Sequence, residues 1–294
     1  MTKSILPTIG NIRWRAFRGQ KALNELQKAK YLDIPYKFIC LLAGIIDGDG
    51  YIAVTRTTKG YIEILLIISL DHKDRDLLEY IQKTLGFGRI NGPFYNKDGT
   101  ITSKLVFTRV NLQEILFPLF IYHDIFFLTD IRRKQFNLAL FVVTNNILKF
   151  DDIPSQIPSS PFLPSLPISP KLYLELNFFL SWVVGFTIAE GSFFNKKKDN
   201  SAWYSLKQRF QPDLFEALKL LFKTSSSIGL YQGKYQSLSI SSKSDIQNVV
   251  NLFSFSYEVV HPLIGQKALQ YEKWIEDLKT NPRYKSLQLP SNKS

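Results

Sequence analysis

Two stretches of one design dominate this sequence: Leu41–Gly50, LLAGIIDGDG, and Trp182–Gly191, WVVGFTIAEG. Each is an apolar run broken by small residues and closed by a carboxylate and a glycine. The carboxylates, Asp49 and Glu190, stand 141 residues apart in a chain of 294. The pairs Gly44/Gly48 and Gly185/Ala189 share a four-residue spacing, which puts each pair on one face of a helix. Faces made of small residues let two helix backbones come unusually close. A helical glycine costs about 1 kcal/mol relative to alanine, so a close helix–helix contact is the compensation expected. The repeat predicts two similar halves, each delivering one acid from the end of such a helix.

Simpler readings fail on spacing. Asp47-Gly48-Asp49-Gly50 has the look of a calcium loop, but the register puts Ile45 and Arg56 where carboxylates are required. The apolar runs Phe38–Ile46 and Phe178–Ala189 fall short of the ~20 residues a membrane span needs. A glycine after an acid can also be a plain helix cap with a solvated carboxylate. The repetition is what that reading leaves unexplained.

LAGIIDGDG and VVGFTIAEG resemble the two motifs of single-chain LAGLIDADG homing endonucleases, the group encoded within mitochondrial introns, some of which also act as RNA maturases. The likeness spans roughly residues 35–290 and departs at Ile188, where the family often carries an acid. It implies an α+β fold of two pseudo-symmetric αββαββα halves. Their antiparallel sheets would form a DNA-binding saddle, with the motif helices packed at the domain interface. It also implies a monomer, a mitochondrial location and promotion of intron mobility.

Composition agrees with a polyanionic partner. The net charge is +12, and 14% of residues are aromatic, which sets the chain apart from disordered basic proteins. The lone Cys40 excludes a disulfide framework, and His72, His123 and His261 are too scattered for a zinc cluster. Residues 1–34 carry Lys3, Arg13, Arg15, Arg18, Lys21, Lys28 and Lys30. They read equally as a targeting segment, the remnant of an upstream exon frame, or a phosphate-contacting arm. Half one is expected over 35–150, a Pro/Ser-rich extended linker over 151–171, and half two over 172–294.

Strand alternation gives a list of residues on the face turned away from the helices. In half one these are Tyr51, Ala53, Thr55 and Thr57; Glu63, Leu65, Ile67 and Ser69; Arg89 and Asn91; and Leu105, Phe107 and Arg109. In half two they are Ser192, Phe194, Lys196 and Lys198; Trp203, Ser205 and Lys207; Gln232 and Lys234; and Ser237, Ser239 and Ser241. Such a mixture can read base edges and hold phosphates.

For the chemistry, the resemblance implies that Asp49 and Glu190 bind Mg²⁺, with the backbone carbonyls of Gly48 and Ala189 as additional ligands. It implies a shared set of about two to three divalent ions. Mn²⁺ would substitute, and Ca²⁺ would bind without supporting cleavage. Lys134 and Lys267 take the place of the family's basic residue in each half, and His72 and Gln208 that of its water-ordering residue. The implied partner is double-stranded DNA. Host intron RNA is the alternative, with the chain acting as a maturase with or without retained cleavage.

Overall fold

The computed structural model describes residues 6, 7, 9, 23–196 and 198–291. They divide into two compact units, one of residues 1–39 and 49–165, the other of 40–48 and 166–294. The middle of the first motif groups with the second half, because its small-residue face packs there.

In the first unit a short helix α1 (Glu25–Ala29) opens on Asn24, whose side chain accepts from the Gln27 amide in a capping box. Lys28 is used internally, in a buried ion pair with Glu114 at 3.3 Å. Lys3, Arg13, Arg15, Arg18 and Lys21 lie outside the described residues. Helix α2 (Tyr36–Asp49) ends on the first acid, and the chain passes straight into β1 (Gly50–Arg56). Next come β2 (Ile62–Asp71), α3 (Arg75–Leu85), β3 (Arg89–Tyr95) and β4 (Ile101–Thr108). The sheet order is β1-β2-β4-β3, antiparallel throughout. Helix α3 stops at Gly86, whose φ of 74° suits a residue without a Cβ. A helical stretch follows, made of α4 (Arg109–Asn111), a π-helical turn (Leu112–Leu116) and α5 (Phe117–Tyr122). Helix α6 (Asp130–Thr144) then packs on β1.

Behind α5, the His123 ring lies 4.8 Å from the Tyr122 ring and 5.3 Å from that of Tyr36. Burial lowers its pKa from 6.5, against the opposing pull of Asp124. Folding thus favours the neutral ring. Its contribution to stability is complete above the unfolded pKa and is lost as pH falls through the lower folded value. Thermal melting should drop as pH falls below about 6.5, and His123→Phe should flatten that part of the profile. An unchanged acid slope in the variant would refute this.

The proline-rich stretch is not a free spacer. Asn137 on α6 donates to Pro158 O at 3.1 Å and accepts from the Ser160 amide at 2.7 Å, and Arg133 reaches Pro164 O at 2.6 Å. Segment 158–164 is therefore laid along α6.

The second unit repeats the order. Helix α7 (Pro170–Leu174) is followed by α8 (Phe179–Glu190). Strands β5 (Gly191–Lys196) and β6 (Ser201–Arg209), helix α9 (Pro212–Phe222), and strands β7 (Ile228–Tyr231) and β8 (Tyr235–Ile240) follow. After them come α10 (Lys243–Val250), another π-helical turn (Asn251–Phe255) and α11 (Gly265–Thr280). The sheet order β5-β6-β8-β7 matches that of the first unit. Tyr204, Leu206 and Ile240 face inward with Trp274 and Phe222. Among the described residues, no helix is long and apolar enough to cross a membrane.

Segment 40–48 packs on α8 through the small residues singled out by the sequence. A Cβ added at Gly44 would stand 2.1 Å from Trp182 O, and one at Gly185 would stand 1.9 Å from Leu41 O. At Gly48 it would stand 2.3 Å from the Ala189 Cβ. Asp47, buried on the same segment, accepts from the Trp182 indole N–H at 2.9 Å. The buried indole donor is thereby satisfied.

Candidate active site and nucleic-acid interface

Asp49 and Glu190 are the final residues of α2 and α8, and both are half-buried. The last carbonyls of a helix lack intrahelical partners and carry its negative dipole end. A carboxylate there faces unfavourable electrostatics, which a bound cation would reverse. The Glu190 side chain lies near Gly48: a Cβ at Gly48 would stand 3.2 Å from Glu190 Cγ and 3.5 Å from Oε1. Asp49 follows Gly48 in the chain.

In the second unit, three side chains gather at the α8–β5 junction. Gln208 Nε2 donates to Glu190 Oε1 at 2.8 Å, while its own Oε1 accepts from the Arg209 amide at 2.7 Å. Lys267, in the first turn of α11, donates from Nζ to Gly191 O. One helical turn on, Gln270 Oε1 accepts from the Phe193 amide at 3.4 Å.

The same frame fits the first unit, with two substitutions. Gln135 Oε1 accepts from the Ile52 amide at 3.1 Å, three residues past Asp49, as Phe193 lies three past Glu190. Gln135 is thus the counterpart of Gln270, and counting back three residues makes Arg132 the counterpart of Lys267. Arg132 is buried and donates to Gln135 Oε1 at 2.5 Å, whereas Lys134 is exposed on another face of α6. The assignment of Lys134 is corrected accordingly. Of the three consecutive cations 132–134, each turned about 100° from the next on the helix, only Arg132 points inward.

The strand-end pairing of His72 with Gln208 also shifts. Gly50 pairs with Ile68, and Gly191 with Leu206, so two residues further on Leu70 matches Gln208. Leu70 is buried and carries no hydrogen-bonding group. His72 lies beyond the strand in a 3₁₀ turn, with Nδ1 2.7 Å from the Ser103 Oγ.

The outward face of the first sheet carries Tyr51 and Thr55 on β1, Glu63, Leu65, Ile67 and Ser69 on β2, and Arg89 and Asn91 on β3. Ala53 shares the face but is covered. Thr57 sits past β1, where its hydroxyl closes the turn onto Tyr61 O at 3.0 Å. The expected register of β4 is off by one. Leu105 and Phe107 are fully buried, and Phe107 meets Phe87 edge-on at 5.6 Å. Arg109 has left the strand; it donates to Ile147 O at 3.4 Å, and burial lowers its pKa. Pairing of Ser69 with Lys104, and of Ile67 with Val106, turns Thr102, Lys104, Val106 and Thr108 outward instead. Lys104 lies 5.0 Å from the Phe94 ring centroid.

Two substitutions separate these registers. Phe107→Ala should cost about 3–5 kcal/mol of stability. Lys104→Ala should leave the melting temperature nearly unchanged and, if it meets a phosphate, lower the salt slope of duplex binding by about one. Denaturant unfolding and salt-titrated binding are the measurements. The opposite assignment of effects would restore the earlier register.

In the second sheet Ser192, Phe194 and Lys196 (β5), Trp203, Ser205 and Lys207 (β6), and Ser239 (β8) turn outward; Ser237 faces the same way but is nearly covered. Lys198 is exposed in the β5–β6 turn, and Ser241 lies just past β8. Gln232 and Lys234 belong to the exposed β7–β8 turn rather than to a strand, because β7 ends at Tyr231 and Gln232 has a φ of 52°. Residues missed from the sequence are Arg209, Tyr231 and Tyr235. Lys207 Nζ lies 5.3 and 5.6 Å from the two tyrosine rings, and Arg209 lies 5.9 Å from Tyr235. Lys196 Nζ lies 3.5 Å from the Trp203 ring, itself stacked on Phe194. Cations held on aromatic faces keep their charge available to phosphates.

Residues 42–126 match the family model described as LAGLIDADG endonuclease. Several solved structures share the fold. I-SmaMI bound to uncleaveable DNA is 17% identical, with a TM-score of 0.59 over 83% of this chain and 92% of its own. I-SmaMI bound to uncleaved DNA with calcium ions gives 17% and 0.57 over 82% and 90%. I-AabMI bound to uncleaved DNA gives 19% and 0.56 over 81% and 89%. Two antiparallel four-stranded sheets of the same strand order and these likenesses give the chain the α+β fold of the single-chain meganucleases, and residues 42–126 of its first half resemble a LAGLIDADG endonuclease.

Proposed function

We propose that the chain is a site-specific, monomeric, double-stranded DNA endonuclease that hydrolyses one phosphodiester in each strand with divalent-metal help, promoting intron mobility in mitochondria. The observation that carries this reading is the repeated helix end. Each motif helix closes on a half-buried carboxylate, Asp49 or Glu190, at a terminus whose free carbonyls and dipole favour a cation. Each half also carries an inward-pointing cation on a late helix: Arg132, bonded to Gln135, and Lys267, bonded to Gly191 O. The outward sheet faces supply hydroxyls, cations on rings, and apolar groups suited to thymine methyls. The solved relatives were captured on uncleaved DNA, one of them with calcium ions, and that supports a duplex partner and a hard divalent cation.

The donor set fits such a cation: carboxylate and carbonyl oxygens suit Mg²⁺, and Mn²⁺ by the same chemistry. Asp49 and Glu190 would hold it, with the carbonyls of Gly48 and Ala189 beside them. When bound, it would lower the pKa of a water and offset charge on the phosphate. The remaining work falls to the chain. Gln208 fixes the Glu190 carboxylate, and Lys267 and Arg132 supply positive charge where the phosphate gains negative charge. The sheet faces set which sequence is presented.

The test is incubation with the intronless exon junction, or with a randomised duplex library, in Mg²⁺. One double-strand break at a single sequence is the expected result. Binding and splicing of the host intron RNA, with every duplex left intact, would replace this reading with the maturase one.

A further inference from the structure

The outward faces of the two sheets differ most sharply in one row. Gly50 pairs with Ile68 and Gly191 with Leu206, so the sheets can be compared slot by slot. The row that starts two residues past Asp49 runs Tyr51, Ile67, Val106 across β1, β2 and β4. The row that starts two residues past Glu190 runs Ser192, Ser205, Ser239 across β5, β6 and β8. The first is a ring and two branched aliphatics. The second is all hydroxyl, with Ser205 Oγ 3.0 Å from Ser239 Oγ. Tyr51 is exposed, and Ile67 and Val106 are part-exposed. The core of the first unit lies on the opposite parity, where Leu66, Ile68, Leu105 and Phe107 are fully buried. Neighbouring apolar side chains left on an outer face mark a surface that a ligand covers. Arg89 continues this row on β3, and Lys104 stands in the row beside it, so the ligand that fits is an anion with an apolar group between its charges.

We propose that Tyr51, Ile67 and Val106 read thymine methyls in the part of the target that lies on the first sheet, whereas the matching serines of the second sheet read hydrogen-bonding base edges. This inference rests on the endonuclease reading. In the major groove of a duplex the thymine C5-methyl is the apolar feature that distinguishes one base pair from another. Ile67 and Val106 have no side-chain donor or acceptor, so they gain from a methyl and leave a cytosine amino group without the partner it had in water. A serine hydroxyl donates or accepts, so it meets either kind of base edge. Arg89 and Lys104 place positive charge where the flanking phosphates pass.

The experiment is a substitution series on the selected target duplex. Each thymidine is replaced in turn by deoxyuridine, which lacks the methyl and keeps every hydrogen-bonding group. Binding in Ca²⁺ is read by mobility shift, with wild type and with the double variant Ile67→Ser/Val106→Ser. That variant gives the row the residue that the second sheet carries in the same slots. Wild type should lose about fourfold in affinity for each methyl removed under the row. In I67S/V106S those same thymidines, all within one half of the target, should become insensitive to the exchange. The wild-type series needs no variant to fold. If deoxyuridine has no effect at any position while the target is still cut, the inference is overturned and the endonuclease reading stands. Sensitivity that persists unchanged in I67S/V106S, or that falls alike in both halves of the target, would also overturn it. Failure to bind or cut any duplex would remove the endonuclease reading and the inference together.

Discussion

Glu190→Gln should lower target cleavage about a thousandfold, the equivalent of about 4 kcal/mol of lost transition-state stabilisation. The carboxamide keeps the length of the side chain, and its Oε1 can still accept from Gln208 Nε2 as Glu190 Oε1 does. The fold and the sheet faces are therefore left alone, and only a charge at the helix end is removed. Asp49→Asn should act likewise at the end of α2. Both variants should bind the target within several-fold of wild type, since the residues that meet the duplex lie elsewhere. Mobility-shift binding beside a cleavage time course makes the comparison. Full cutting by either variant would contradict the two-acid mechanism.

The second large effect concerns folding. Gly185→Ala should destabilise the protein by about 3 kcal/mol or more, at the upper end of overpacking costs. In an open helix the same change would stabilise by about 1 kcal/mol, so the sign is diagnostic. The reason is backbone contact. A Cβ at Gly185 would lie 1.9 Å from Leu41 O, and one at Gly44 would lie 2.1 Å from Trp182 O. Neither neighbour is a side chain that can rotate away, so segment 40–48 and α8 must separate. Denaturant midpoints of G185A and G44A measure this. A midpoint unchanged or raised would mean that the helices do not meet along this face.

Much of this arrangement was legible in the sequence because it is written locally. Gly44, Gly48, Gly185 and Ala189 carry their meaning in four-residue spacings, and the contacts they predict are those that form. Strand β2 reads the same way: Ile62, Ile64, Leu66 and Ile68 alternate with Glu63, Leu65, Ile67 and Ser69. Strand β4 does not, because both of its parities are mixed. Leu105 and Phe107 compete with Val106, and only the pairing of Ser69 with Lys104 decides which parity faces the core. That information resides in another strand.

The inward cation of the first half is hidden in the sequence for a related reason. Arg132, Arg133 and Lys134 are equivalent as charges, and the choice among them depends on the bond from the Ile52 amide to Gln135. The matching glutamines 135 and 270 were the available signal. Leu70 carries no polar group that would mark it as the positional match of Gln208.

The most direct test of the central claim is a metal switch on the selected target duplex. The same protein–duplex complex is incubated with Mg²⁺, with Ca²⁺ and with EDTA, and binding and cleavage are read in parallel. The account predicts double-strand cutting at one site with Mg²⁺, binding without cutting in Ca²⁺, and no cutting in EDTA. Cutting at the same rate in EDTA would contradict a metal-dependent pair of acids at the ends of the two motif helices.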